Sequence, residues 1–68
     1  MTDAFLILLT ADNGHLLPSR RADTLEMAET VARAIVDSGK AWRASILDAE
    51  AGGKVADYRR GVLRTFSQ

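Results

Sequence analysis

The sequence predicts an α+β domain, an antiparallel sheet of four or five strands with one helix packed on one face, in the order ββαββ or ββαβββ. Three observations carry this. The stretch between residues 23 and 39 has the 3.6-residue period of an amphipathic helix. The segments flanking it are short and apolar or alternating, as strands are. They also come in pairs, joined by turn signals at Asp12-Asn13-Gly14 and at Glu50-Ala51-Gly52-Gly53.

Residues 4–11 (AFLILLTA) form a continuous apolar run that ends at Asn13-Gly14, a strong hairpin signal. Residues 15–21 (HLLPSRR) return as the second strand. Pro18 has no N–H to give to a ladder, so this strand belongs at a sheet edge or carries a bulge. Asp23, with Glu26 three residues on, resembles a capping box; helical periodicity runs over residues 24–38 until Gly39 stops it. Leu25, Ala28, Val31, Ala32, Ile35 and Val36 share one face of that helix, and Glu26, Glu29, Thr30, Arg33 and Asp37 the other. Met27 and Ala34 widen the apolar side, either as the rim of the core or as a contact edge for a partner.

Residues 40–48 (KAWRASILD) alternate, with Trp42, Ala44 and Ile46 on one side and Arg43, Ser45 and Leu47 on the other, the pattern of a half-buried strand. After the Gly52-Gly53 turn, residues 54–59 (KVADYR) pair back with it. Residues 62–66 are a candidate fifth strand.

Length and composition fit this plan. Sixty-eight residues suit one small domain, residues 1–68, with too little chain for a second core. A composition 47% hydrophobic and 26% charged is globular rather than disordered. Without cysteine there is neither a disulfide staple nor a thiolate, which suits a reducing cytoplasm. The apolar run at residues 5–9 follows Asp3 rather than basic residues and meets Asp12 too soon, so neither an export signal nor a membrane span is expected. A formal net charge of zero gives no general attraction to nucleic acid or to an anionic membrane.

Catalytic chemistry finds no footing. His15 is the only histidine, and the carboxylates have no metal-ligand spacing. Ser19, Ser38, Ser45 and Ser67 belong to no nucleophile motif. Gly52-Gly53 lacks the Walker and Rossmann patterns. The expectation is a protein that is not an enzyme and takes no cofactor or metal.

Binding is the remaining role. A lone helix covers one side of the sheet, yet Leu6 and Leu8 point away from Phe5, Ile7 and Leu9. With Leu47 they are candidates for an apolar interface, to be covered by a partner, by a second copy, or by the C-terminal segment folding over them. Acidic residues concentrate on the helix, and Arg20, Arg21, Arg43, Arg59, Arg60 and Arg64 on the strands and their ends. An arginine-bearing sheet face carrying Tyr58 would suit phosphates and stacked bases, which keeps a nucleic-acid module as the alternative function. A structural homodimer subunit is a third.

A cysteine-free chain with a first hairpin, a helix over 23–38 and a closing strand-turn-strand, ILDAEAGGKVADY, resembles the small anti-CRISPR proteins of phages and mobile elements. The resemblance is one of architecture and carries over no functional residue. It implies a stoichiometric inhibitor in the bacterial host cytoplasm that binds a Cas protein or a Cascade-type complex. Glu26, Glu29 and Asp37 would then mimic phosphates toward a basic groove, or Arg43, Arg59 and Arg60 would meet an acidic protein surface.

Overall fold

The computed structural model describes residues 4–66. Strands β1 (Phe5–Thr10) and β2 (Leu16–Ala22) precede helix α1 (Leu25–Asp37), and strands β3 (Arg43–Asp48), β4 (Lys54–Arg59) and β5 (Val62–Thr65) follow it. The five strands form one antiparallel sheet in the spatial order β2-β1-β3-β4-β5. The ββαβββ expectation is met, fifth strand included.

The first hairpin closes as its residues suggest. Gly14 N–H donates to the Ala11 carbonyl and Ala11 N–H to the His15 carbonyl, both at 2.9 Å. Gly14 has φ +86°, a conformation that costs glycine nothing. Pro18 has both consequences expected of it: β2 is an edge strand, and the register slips at Pro18, between the Ile7–Arg20 and Leu9–Leu17 pairs.

The start of the helix differs from the sequence expectation by one residue. Thr24 is the N-cap, with extended backbone (φ −127°, ψ 157°) and a hydroxyl that accepts the Met27 N–H at 3.1 Å. The capping box keyed to Asp23 therefore does not form, because counting from Thr24 puts Met27, not Glu26, at the reciprocal position. Thr24→Ala is expected to lower stability by about 1 kcal/mol, with Asp23→Ala within about 0.5 kcal/mol of wild type, in paired thermal melts. At the other end Lys40 N–H donates to the Ile35 carbonyl at 3.2 Å and Gly39 N–H to the Val36 carbonyl at 3.0 Å, a Schellman stop that needs the left-handed φ of +85° at Gly39.

The helix lies on the face formed by Ile7, Leu9, Ala44, Ile46, Ala56 and Tyr58, and inserts Ala28, Ala32 and Val36. Of eleven buried apolar residues six are alanine, so helix and sheet approach closely and the core has little depth. Ile7, Ile46 and Val36 are its largest fully buried side chains. Met27 and Ala34 are exposed and stand clear of this core. The strand expected over residues 40–48 begins only at Arg43; Trp42 precedes it, half-buried, with its backbone N–H donating to the Thr10 carbonyl at 3.0 Å.

Candidate functional site

Successive side chains of a strand alternate between the faces of a sheet, and cross-strand partners share a face. The pairing register therefore lays out the face that α1 leaves uncovered as three rows. Leu16, Thr10, Arg43, Arg59 and Val62 cross all five strands in the first. Leu8, Ser45, Asp57 and Arg64 form the second. The third runs Arg21, Leu6, Leu47 and Lys54, and ends at Phe66, whose ring centroid is 5.8 Å from Lys54 Nζ. The rows divide the face into an apolar half over β1 and β3 and a basic half over β3, β4 and β5.

Leu6, Leu8 and Leu47 are thus brought side by side, Leu6 directly opposite Leu47. They are half-buried, and residues 62–65, instead of folding over them, extend the sheet at its far edge as β5. Leu16, 76% exposed, widens the apolar half from β2, while Val62 and Phe66 stand exposed on the opposite edge.

The basic half is organised around Asp57, which sequence reasoning did not single out. This carboxylate is only 3% exposed. Its Oδ1 accepts Arg43 Nε at 3.0 Å and the hydroxyl of Ser45, its cross-strand partner, at 3.2 Å. Arg59 Nε lies 3.9 Å from Oδ2, within ion-pair range but beyond a direct hydrogen bond. The alternation of KVADYR, read against Arg43 and Ser45 on the preceding strand, holds the signal for this cluster.

Of the charged residues expected to meet a partner, Arg43 and Arg59 face each other across β3 and β4, and Arg60 follows in the β4–β5 turn. Glu26, Glu29 and Asp37 lie on α1, apart from these arginines. Glu26 and Asp37 are separated by eleven residues, about 16 Å along the axis, so the three carboxylates do not form one cluster. Among the described residues the helix-free face holds Arg21, Arg43, Lys54, Arg59 and Arg64 against Asp57 alone, and the charge is polarised across the sheet.

Tyr58 is not part of the basic face. Alternation turns it toward the helix, where it is buried; its hydroxyl donates to Asp37 Oδ1 at 2.8 Å and accepts the Gly61 N–H at 3.1 Å. Arg33 lies 6.0 Å from its ring centroid on that side. Tyr58 therefore ties the end of α1 to the β4–β5 turn and offers no stacking surface for a base.

Among the described residues no three His, Cys, Asp or Glu side chains gather as metal ligands would, and no helix is long and apolar enough to cross a membrane. Comparison of the chain with protein-family models, with curated proteins and with solved structures finds no match.

Proposed function

We propose that the chain is a non-enzymatic protein-binding domain that docks through the apolar half of its helix-free face, with Leu6, Leu8 and Leu47 at the centre of the contact. One observation carries this reading. Leu6 and Leu47 stand directly opposite each other with Leu8 beside them, uncovered by the helix, and Leu16, at 76% the most exposed large apolar side chain among the described residues, extends this patch from β2. An apolar centre with arginines at its margin is the anatomy of a protein interface. Two alternatives fit the apolar half of the face less well. Sheets that read single-stranded nucleic acid carry aromatic side chains on their central strands, where β1 and β3 carry Leu and Ser. A homodimer stacked with β5 over β5 would oppose the arginines of one copy with those of the other.

The anti-CRISPR resemblance gives the partner a class, a Cas protein or Cascade-type complex held stoichiometrically. The test is a pull-down with tagged wild type and Leu6→Ser/Leu8→Ser from nuclease-treated lysate of bacteria carrying CRISPR systems. The expected result is a Cas subunit in fixed stoichiometry with wild type and at least tenfold less with the folded variant. Equal recovery with both would remove the apolar face from the interaction. Recovery of the bait alone would remove the Cas assignment.

A further inference from the structure

One corner of the sheet gathers residues that the proposed docking does not use. The β1–β2 turn, Trp42 and the β4–β5 turn meet there, and two clefts open on either side of Arg59 and Arg60. The wider, about 470 Å³, is lined by Asp12, Trp42, Arg59 and Arg60. The narrower, about 260 Å³, is lined by Asp57, Arg59, Arg60, Val62 and Arg64.

We infer that this corner binds single-stranded nucleic acid, with a backbone phosphate in the narrower cleft and the adjoining base in the wider one. Charge places the phosphate. Among the described residues Arg43, Arg59, Arg60 and Arg64 stand against two carboxylates at this corner, and the Oδ1 of Asp57 is already taken by Arg43 and Ser45. Among the described residues Arg60 and Arg64 are in no ion pair, and Arg59 only in the 3.9 Å contact, so their N–H forks remain available to an oxyanion.

The second carboxylate sets the polarity. Asp12 repels a phosphate from the wider cleft and offers an acceptor to the amino group of a base. Beside it the Arg59 guanidinium lies 5.6 Å from the Trp42 ring centroid, and this pair supplies the planar surface on which a base stacks. The corner is also held in place. Gly61 N–H bonds the Tyr58 hydroxyl, which bonds Asp37, so the turn presenting Arg60 is fixed to the end of the helix. Basic side chains on an anchored turn lose less freedom when a ligand arrives.

Trp42 is the only tryptophan, so its emission reports on this corner alone. The full chain at low salt is titrated with a labelled single-stranded oligodeoxycytidylate of about twelve nucleotides. Rising anisotropy and quenched Trp42 emission are expected together, with a slope of log affinity on log salt of about −0.7, the value for the one phosphate held on a single strand. Arg60→Gln/Arg64→Gln, at exposed positions, is expected to bind at least tenfold more weakly with an unchanged melting temperature. Three results would overturn the inference: no response of Trp42 at low salt, an unchanged affinity in the double variant, or displacement of the strand by polyglutamate as readily as by unlabelled strand. Quenching by inorganic phosphate without binding of the strand would also overturn it. None of these outcomes bears on Leu6, Leu8 and Leu47, so this inference and the protein-docking reading fail separately.

Discussion

Ile46→Ala is expected to destabilise the domain by about 2–5 kcal/mol, toward the upper end of that range. Ile46 is fully buried at the centre of the sheet, paired with Ile7 on β1 and Ala56 on β4. Ala28 and Ala32 of the helix belong to the same core cluster. Alanine has no side chain that can lean into the void, so the cavity stays open and its cost is not relieved. A chain of 68 residues holds a total stability of about 3–10 kcal/mol, which the substitution largely consumes. Urea unfolding followed by circular dichroism checks this, with Leu47→Ala as companion. Leu47 is half-buried on the opposite face, and its truncation is expected to cost under about 1.5 kcal/mol. Equal costs at the two positions would mean that the helix-free face is covered in solution, by another copy at the concentrations of the melt.

The second large effect is expected at Asp57. Asp57→Ala removes the acceptor of Arg43 and Ser45 and leaves a guanidinium with no partner at the margin of the core. Stranding a fully buried charge costs about 3–5 kcal/mol, but the Arg43 side chain is 31% exposed and recovers part of its hydration. The expected loss is about 1–3 kcal/mol. A double-mutant cycle with Arg43→Ala separates the pair from the rest and is expected to show a coupling of about 1 kcal/mol. A neutral Asp57→Ala would contradict a stabilising role for this carboxylate and leave it only the task of keeping Arg43 and Arg59 apart.

The fold was legible wherever one residue type has one physical consequence. Pro18 lacks a donor, and β2 is a bulged edge strand; Gly39 tolerates positive φ, and the helix stops there. The closing hairpin follows from the alternation of residues 43–48 and the turn at Gly52-Gly53. The cap at Thr24 was misplaced because Asp23 and Thr24 are adjacent and both able to cap; only the backbone angles decide between them. At the candidate site, Leu6, Leu8 and Leu47 were within reach because alternation within a strand is enough to sort them. Leu16, Val62 and Phe66 needed the register of the edge strands, which no single strand carries. Tyr58 and the arginines of its strand were read as one surface although adjacent positions face opposite ways. Lys54 and Asp57, three residues apart, do share a face, because the register of β3 and β4 slips between Ile46 and Leu47.

The place of β1 in the sheet bears on how the chain is made. FLILLT is followed at once by the turn and strand that cover one of its edges, through contacts only a few residues apart. Its other edge waits for residues 43–48, and Phe5 finds Asp48 only after the whole helix has been synthesised. Through that interval the nascent chain presents six strand-forming residues, none of them charged, with backbone donors and acceptors open along one side. A neighbouring nascent chain in the same condition is a ready substitute for β3, and the order of synthesis makes this hairpin the point at which assembly between chains competes with folding.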